Sequence, residues 1–274
     1  MTEPTTPGWS TPEQGTTVGA KGARLLPSGP DASHPVPEPL TRRFGDRIEQ
    51  VVWVNEVGGV TVRADAGGAS VYAKWAPPRS ELDLRAEVER LAWAAPYVRV
   101  PRVLDFTSDA DGDVLVTAAI PGENAASERW RAEPAQAVRA IAVGLRQLHD
   151  ALPVPECPFS WSVDERMARS RNEGIRERIL ALDRLPRVPA VDRLVVCHAD
   201  ACVPNTLLAD DGSVAGHVDL GRLGVADRWA DIAIGAWSTE WNYGPGYTDL
   251  FYQSYGVEAD EERIAFYRAL WDAT

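Results

Sequence analysis

An asparagine and two aspartates in the last third of this 274-residue chain are the residues best placed to do chemistry. Residues 206–209 and 213–218 are apolar-rich segments that predict two strands, and the Asp-Asp-Gly between them is a strong hairpin turn. Asn205 precedes the first strand and Asp219 follows the second, so an antiparallel hairpin would place their side chains next to each other. An amide oxygen beside a carboxylate oxygen forms a hard-ligand site that suits Mg²⁺.

A third group belongs to the same end of the hairpin. Asp200 lies five residues before Asn205, on the loop that enters the hairpin, and is free to act on something other than the metal. The pattern His198-x-Asp200-x-x-x-x-Asn205, followed by Asp219-x-Gly221, has the order and spacing of the phosphoryl-transfer loops of kinases. A surface hairpin with ordinary turn residues is the alternative, and it leaves that agreement unexplained. The pattern therefore predicts phosphoryl transfer from Mg-ATP.

Lysine usage points to a further member of the site. Among the 28 basic residues only Lys21 and Lys74 are lysine, and a crowded site that needs a compact ammonium cannot use arginine instead. In the helix predicted after Lys74, Glu87 borders the apolar stripe, where a carboxylate needs a compensating charge. A Lys74–Glu87 pair would match the strand lysine and helix glutamate that hold ATP phosphates in kinases.

Short β-branched and aromatic runs separated by turn residues predict a small antiparallel sheet and one helix between residues 41 and 121. The loop at residues 55–59 could cover the phosphates, although it lacks a complete glycine-rich pattern. Residues 117–120, including Thr117 and Ala119, would form the linker whose backbone bonds adenine. Pro121-Gly122 predicts a hinge after them.

Longer patterns follow the hinge. Apolar residues at helical spacing predict helices over residues 135–150, 230–241 and 258–271, and residues 164–185 predict one or two arginine-rich helices. By contrast, Pro, Gly, Ser and Thr make up 22 of residues 1–40, which predicts a disordered tail. We therefore expect an α+β fold with two protein-kinase-like lobes, 41–121 holding the nucleotide and 122–274 the catalytic and substrate groups, and a ligand in the cleft between them.

The charge excludes some function classes. With 28 basic and 40 acidic residues the net charge is −12, which disfavours nucleic-acid partners because phosphates are bound by clustered cations. No apolar run approaches the ~20 residues of a membrane span, and no secretory signal is visible, so we expect a cytoplasmic protein. Residues 200–274 contain 13 acidic residues and four arginines, which fits a cationic small-molecule ligand or a solvated acidic face.

A metal site of another kind is the weaker interpretation of the same region. Cys197, His198, Cys202 and His217 could be drawn as zinc ligands, but their spacing matches no common zinc pattern. The chain has three cysteines and no Cys-x-x-Cys pair, which favours reduced and mostly buried thiols.

Beyond these motifs the sequence resembles the aminoglycoside phosphotransferase family, and most of all its 3'-phosphotransferase-type enzymes. The likeness covers about residues 50–274 and is densest in the last eighty. The matching segments are residues 148–149, 157–159, 197–205, 216–233, 255–257 and 264–270. The resemblance implies that Asp200 acts as catalytic base or orients the acceptor hydroxyl, that Asn205 and Asp219 bind Mg²⁺, that Lys74 contacts the nucleotide phosphates and that Asp231 braces the catalytic loop.

The chain also departs from the family. Ala199 stands where the family usually has glycine, which matters if that backbone needs a positive φ. Trp271 replaces one of two adjacent C-terminal acidic residues, and Trp237 and Trp241 stand where relatives have charged residues. These tryptophans could stack on a ligand or pack into the core. The acceptor residues that the resemblance suggests are Arg222, Glu240, Asp272 and Thr274.

The resulting function prediction is an enzyme that moves the γ-phosphate of Mg-ATP, with GTP as another possible donor, to a hydroxyl of an aminoglycoside. Two alternatives stay open. The acceptor could be another small amino sugar or alcohol, or the chain could be a catalytically silent module that binds nucleotide. The silent module is disfavoured because such modules usually lose the base or a metal ligand. The sequence leaves the modified hydroxyl and the oligomeric state undetermined.

Overall fold

The computed structural model describes residues 33–55 and 57–274. Most of the predicted tail, residues 1–32, therefore lies outside the described residues. Helix α1 (Glu38–Phe44) crosses the predicted boundary at residue 40, and its Leu40 is fully buried. The helix begins before that boundary because Leu40 and Phe44 bury their apolar side chains against the first sheet.

That sheet has five antiparallel strands in the order β1-β2-β3-β5-β4, and they are β1 (Ile48–Val54), β2 (Val60–Asp65), β3 (Ser70–Ala76), β4 (Val103–Asp109) and β5 (Gly112–Ala118). Alternate residues of the central strands are buried, as expected where one face of a sheet packs on a core. Val71 and Ala73 point into the core shared with α1. Because side chains alternate along a strand, Lys74, which lies between Ala73 and Ala76, faces away from that core.

On the side of the sheet away from α1 lies α2 (Leu84–Ala94), which begins where Asp83 accepts a hydrogen bond from the amide of Ala86 at 2.8 Å. Leu84, Leu91 and Ala94 of this helix are buried together with side chains of the second lobe. Glu87 shares their face at helical spacing, and this placement turns its carboxylate inward.

The lobes are joined by residues 119–122, between the end of β5 and the first strand that pairs within the second lobe. Gly122 has φ = 147° and passes so close to the second lobe that a Cβ there would lie 2.9 Å from the carbonyl oxygen of Leu208. Only glycine suits both conditions. The predicted boundary after residue 121 falls within this connection.

The second lobe is mainly helical and continues in chain order as β6 (Glu123–Asn124), α3 (Glu128–Ala132), α4 (Pro134–Ala151), α5 (Val163–Glu173), α6 (Arg176–Leu182), β7 (Leu194–Cys197), β8 (Thr206–Leu208), β9 (Val214–His217), β10 (Gly224–Asp227), α7 (Trp229–Tyr243), α8 (Thr248–Tyr255) and α9 (Glu261–Ala273). Val138, Ile141, Ala142 and Leu145 of α4 are buried in the main core with α7, α8 and α9, whereas Leu148 is buried with side chains of the first lobe. Across the described residues, no helix is long and apolar enough to cross a membrane.

Several elements were not predicted. The strand β10 pairs antiparallel with β7, and its four residues, Gly-Val-Ala-Asp, are too short to show a period. The sequence likewise missed α3 and α8. The arginine-rich segment forms two helices because Gly174 takes a left-handed conformation with φ = 69° and ends α5.

Candidate active site

The predicted hairpin forms and places two of the predicted residues at its open end. β8 and β9 pair antiparallel, and the amide of Val218 donates to the carbonyl oxygen of Asn205 at 3.0 Å. The Nδ2 of Asn205 in turn donates to the backbone carbonyl of Asp200 at 2.9 Å. We call residues 198–205 the catalytic loop, after the role that the resemblance implies for Asp200. Because the backbone of this loop holds the amide nitrogen, Asn205 Oδ1 is left to act as a ligand.

Lys74 joins the two lobes. Its Nζ lies 2.7 Å and 2.9 Å from the carboxylate oxygens of Glu87 and 3.0 Å from Oδ1 of Asp219. Burial by itself would lower the pKa of Lys74, but the charges of Asp219 and Glu87 outweigh it and raise that pKa. The lysine is therefore a fixed cation between a helix of one lobe and the metal-ligand candidate of the other.

The pKa values of the carboxylates in the cleft are shifted in different directions. Burial, followed by the nearby charge of Asp219, raises the pKa of Asp200. The charge of Lys74 holds the pKa of Asp219 below its ordinary value, although burial acts in the opposite direction. Burial also raises the pKa of Glu87. Glu87 and Asp219 share Lys74, and Asp200 lies near the charge of Asp219, so the cleft has more carboxylates than lysines beside an amide oxygen. This donor set fits a hard divalent cation.

Beneath the catalytic loop, Asp231 is fully buried and makes three hydrogen bonds. Its Oδ2 accepts from the amide of His198 at 2.6 Å, and its Oδ1 accepts from the amide of Ala199 at 2.8 Å. The third partner is Nε2 of His149 at 2.9 Å. Burial would raise the pKa of Asp231, but the hydrogen bond and charge of His149 outweigh it, so that pKa is lowered. Asp231 thus holds the backbone of the loop at His198 and Ala199.

The support of Asp231 extends to a third element of the lobe. His149 Nδ1 lies 2.7 Å from the hydroxyl of Tyr255, at the end of α8. A carboxylate only accepts hydrogen bonds, so Nε2 of His149 donates to Asp231, and Nδ1 is hydrogen-bonded to the hydroxyl of Tyr255. We call Asp231, His149 and Tyr255 the loop brace. The sequence did not single out His149 or Tyr255 as functional, although both lie in short segments, residues 148–149 and 255–257, that resemble the family.

The braced backbone is strained where the chain departs from the family. Ala199 has φ = 68°, so this position does need the left-handed conformation that glycine adopts freely. Asp219 has φ = 64°, and among the described residues Arg79 is the remaining non-glycine residue with a positive φ. Two of these three lie in the candidate site, where strained backbone tends to collect.

The residues of the weaker zinc interpretation do not form a group. Within the described part of the chain, the one cluster of possible metal-binding atoms comprises His149, Cys197 and Asp231. Both nitrogens of His149 are already hydrogen-bonded, and the Cys197 thiol donates to the carbonyl of Asp227 at 3.5 Å. Burial also raises the pKa of Cys197 well above its ordinary value, which disfavours the thiolate that a metal requires.

The predicted nucleotide linker is partly engaged within the first lobe. Thr117 is buried in β5, and the amide of Ala119 donates to the carbonyl of Ser70 at 3.1 Å. In this conformation the amide of Ala119 is engaged, which leaves its carbonyl to serve a purine. The turn after β1 is closed by Asn55, whose Oδ1 accepts from the amides of Val57 at 3.1 Å and Gly59 at 2.7 Å.

The suggested acceptor residues lie on the second lobe. Arg222 is exposed, and its guanidinium carbon is 5.7 Å from the ring centroid of Trp161. Glu240 lies on α7 and Asp272 on α9, and these helices pack against each other. The hydroxyl of Thr274 is used within the chain, since it accepts from Arg166 Nη2 at 2.8 Å and donates to the carbonyl of Leu270 at 2.8 Å.

A small antiparallel lobe with a lysine–glutamate pair, joined to a helical lobe with an Asp/Asn/Asp set, defines the class of kinase-like phosphotransferases. The comparisons agree. Residues 40–267 match the model of the phosphotransferase enzyme family, and the chain belongs to this family.

Two relatives with named activities are similar to this chain over most of its length. The chain is 38% identical over 229 residues to an aminoglycoside 3'-phosphotransferase of Streptomyces fradiae, covering 73% of this chain and 84% of the relative. It is 33% identical over 271 residues to a streptomycin 3''-kinase of Streptomyces griseus, covering 86% and 96%. These matches confirm the predicted resemblance.

Solved structures extend the comparison to the fold. The crystal structure of an aminoglycoside-3'-phosphotransferase of type VIII has a TM-score of 0.72 at 33% identity and covers 86% of this chain and 97% of that one. An aminoglycoside phosphotransferase of Streptomyces rimosus has a TM-score of 0.68 at 31% identity, covering 85% and 95%. The predicted α+β, two-lobed kinase-like fold is therefore confirmed.

Proposed function

We propose that this chain transfers the γ-phosphate of Mg-ATP to a hydroxyl of an aminoglycoside. The observation that carries the proposal is the complete constellation of Lys74, Asp200, Asn205 and Asp219 around one interlobe cleft. A relative from S. rimosus forms a complex with ADP and streptomycin, which supports both the nucleotide and the acceptor class. The intact set also argues against a silent nucleotide-binding module.

In this mechanism the side chains position the reactants and neutralise charge. Lys74, held by Glu87, binds phosphate oxygens of the nucleotide, and Asn205 Oδ1 and Asp219 hold Mg²⁺. The bound Mg²⁺ supplies neutralisation of the negative charge on the phosphates. Asp200 accepts a hydrogen bond from the acceptor hydroxyl and orients its oxygen toward the γ-phosphate. As the new O–P bond forms, Asp200 takes up the hydroxyl proton, and the bond between the γ-phosphorus and the β–γ bridging oxygen breaks to release ADP. Its raised pKa suits it to receive that proton.

For the site of modification we propose the 3'-hydroxyl. The relatives of S. fradiae and S. ribosidificus, at 38% and 35% identity, are both named aminoglycoside 3'-phosphotransferases. The streptomycin 3''-kinase of S. griseus makes the 3''-hydroxyl the second candidate. We also propose that the enzyme works in the cytoplasm, where ATP is available. Fractionation of producing cells tests that location, and recovery of the protein outside the cytoplasm would contradict it.

The test is an ADP-release assay with purified protein, MgCl₂ and either ATP or GTP. The acceptors are kanamycin B, its 3'-deoxy form tobramycin, streptomycin and simple amino sugars. We expect turnover of kanamycin B with ATP and none of tobramycin, because the two differ at the proposed hydroxyl. The Asp200→Ala variant serves as the control and should lose turnover by about three orders of magnitude.

Other outcomes separate the alternatives. Turnover of streptomycin alone would move the modification to the second candidate hydroxyl, and turnover of amino sugars alone would favour a metabolite kinase. Binding of ATP without turnover on any acceptor would overturn the proposal in favour of the silent module. Replacement of Mg²⁺ by excess EDTA should abolish turnover; full activity in EDTA would contradict the proposed metal role of Asn205 and Asp219.

A further inference from the structure

The catalytic loop is held at both of its ends. Near its start, Asp231 accepts from the amides of His198 and Ala199. Near its end, the amide of Val203 donates to Oγ of Ser238 at 2.9 Å. Val203 and Ser238 are both fully buried, so water cannot take the place of this hydrogen bond. The hydroxyl oxygen of Ser238 is therefore the acceptor on which the Val203 amide depends.

Both anchoring residues belong to α7. Asp231, Gly235 and Ser238 follow one another at intervals of four and three residues, which places them along one face of the helix. Between the two anchors, a Cβ on Gly235 would lie 3.3 Å from the carbonyl oxygen of Ala201, so the helix passes close to the middle of the loop. At a rise of about 1.5 Å per residue, the anchors are about 10 Å apart along the helix axis. Because backbone hydrogen bonds close every turn of the helix, α7 is a spacer of fixed length between the ends of the loop.

The peptide unit that Ser238 holds also holds the metal-ligand candidate. The amide of Asn205 donates to the carbonyl oxygen of Cys202 at 2.9 Å. That carbonyl and the amide of Val203 belong to one planar peptide unit. Its amide is thus bonded to α7 and its carbonyl to Asn205, whose Nδ2 in turn donates to the carbonyl of Asp200. A rotation of this peptide unit would displace Asn205 relative to Asp200.

The Ser238 hydroxyl is itself fixed by its surroundings. Asn242 Nδ2, one turn later on α7, donates to the carbonyl oxygen of Ser238 at 2.8 Å and to its Oγ at 3.3 Å. Together with the Val203 amide this fills the acceptor capacity of the hydroxyl oxygen and leaves its proton to donate. Burial raises the pKa of the Cys202 thiol, as do the charge of Asp200 and a hydrogen bond with it, whereas a hydrogen bond with Ser238 lowers that pKa. The thiol is thus in contact with both Ser238 and Asp200.

We propose that Ser238 is a positioning residue for phosphoryl transfer. The inference rests on the proposed function and deepens it. By holding the peptide unit of Cys202 and Val203 at a fixed distance from the loop brace, Ser238 keeps Asp200 and Asn205 in the relative positions at which one orients the acceptor hydroxyl and the other holds Mg²⁺. Because it is fully buried, Ser238 touches neither reactant.

The experiment compares Ser238→Ala with Thr239→Val. Each variant removes one fully buried hydroxyl of α7, but Oγ1 of Thr239 donates to the carbonyl of Ala236 within the helix. We would measure kcat and the KM for ATP with kanamycin B as acceptor. Ser238→Ala should lower kcat by at least about tenfold and change the KM for ATP less than about twofold, because misplaced catalytic groups weaken the transition state more than nucleotide binding. Thr239→Val should change kcat less than about twofold.

A second measurement reads the anchor without turnover. Amide hydrogen exchange, followed by nuclear magnetic resonance, should be at least about tenfold faster at Val203 in Ser238→Ala than in the wild-type protein. The amides of His198 and Ala199 should keep their protection, because Asp231 still holds them. In Thr239→Val the exchange at Val203 should not change.

The outcomes distinguish the two proposals. If the wild-type protein turns over kanamycin B and Ser238→Ala keeps its kcat, the positioning role is overturned and the function stands. An equal loss of kcat in Thr239→Val would also overturn the positioning role, because that hydroxyl is bonded within the helix. If no acceptor is turned over, the function is overturned and the exchange data decide on the anchor. Faster exchange confined to Val203 would then support it, and unchanged exchange would overturn it.

Discussion

Two clusters of ionisable side chains flank the catalytic loop, and they are built in opposite ways. In the cleft, Lys74 bridges Glu87 and Asp219 across the lobes, and the Asp219 side chain is 50% exposed. Under the loop, the brace of Asp231, His149 and Tyr255 lies inside one lobe, and its aspartate and histidine side chains have no exposure. The first cluster has more carboxylates than cations, whereas the second has a partner for every polar side-chain atom.

The pKa directions express this difference. Asp231 is buried, yet its pKa is lowered because hydrogen bonds from His149 and the loop amides stabilise its charged form. The pKa of Asp200 is raised because its carboxylate is desolvated and lies near the charge of Asp219. Every polar side-chain atom of the brace is thus hydrogen-bonded without a ligand, whereas a bound cation would offset the negative charge of the cleft. Because the brace is fully hydrogen-bonded, the cleft can hold unfavourable charge and strained backbone without local unfolding.

The largest expected effect is loss of the brace. Asp231→Ala leaves two loop amides and His149 without their acceptor, so the free energy of unfolding should fall by about 3–5 kcal/mol. Urea unfolding followed by circular dichroism measures it. Asp249→Ala removes an exposed aspartate of the neighbouring helix and serves as the control, with an expected change of about 0.5 kcal/mol. A loss below about 1 kcal/mol in Asp231→Ala would show that the brace carries little stability.

The next largest effect is expected when the cation of the cleft is replaced by a cation of another shape. Lys74→Arg keeps the charge but cannot fit a planar fork between Glu87 and Asp219, so kcat/KM for ATP should fall about 100-fold. The fold should be nearly unaffected, because the site lies at the open cleft. Steady-state kinetics and a thermal melt report the two quantities, and Arg63→Lys on the same sheet is the control. Near-normal turnover would mean that a compact ammonium is not required.

A smaller effect with the opposite sign is expected for the catalytic carboxylate. Asp200→Asn removes a desolvated charge near Asp219, so the free energy of unfolding at pH 7 should rise by about 1 kcal/mol while activity is lost. The folded-state pKa of Asp200 lies above its unfolded value, so wild-type stability from this group is present at low pH and is lost as pH rises through the raised pKa. The advantage of the variant should therefore vanish below about pH 4. Urea titrations at pH 4 and pH 7 measure it, and equal stabilisation at both would contradict this account.

The smallest expected effect concerns the strained backbone between the clusters. Ala199→Gly relieves a left-handed alanine, worth about 1–2 kcal/mol, but adds unfolded-state entropy of about 0.5–1 kcal/mol. The free energy of unfolding should rise by about 0.5 kcal/mol, with activity retained. Ala201→Gly in the same loop lacks a positive φ and should destabilise. Destabilisation by both variants would show that the loop does not strain Ala199.

Much of the cleft could be predicted because its geometry is local. Asn205 and Asp219 meet through one hairpin, and Lys74 and Glu87 are 13 residues apart on adjacent elements, so spacing and periodicity were enough. The bond from Lys74 to Asp219 spans 145 residues and the one from His149 to Tyr255 spans 106. No period or turn signal reports such contacts, because they depend on how helices and lobes pack.

Other features were not predicted from the sequence because they also depend on how distant segments pack. The strand β10 was not predicted because it is defined by its pairing with β7 rather than by its own four residues. The helix α1 was assigned in part to a tail because its two core residues have meaning only once the sheet is present. The engagement of the Ala119 amide by Ser70 depends on how the end of β5 lies against β3.

The sequence by itself determined the lobe order, the Asp/Asn/Asp motif, the single lysine of the first lobe and the family, because these depend on residue type and short spacing. Only the tertiary structure decided that Lys74 serves carboxylates from both lobes, that Ala199 is strained and that Trp241 is half exposed. The physical reason is that charge balance, strain and exposure are properties of an environment. That environment exists only after distant segments have packed together.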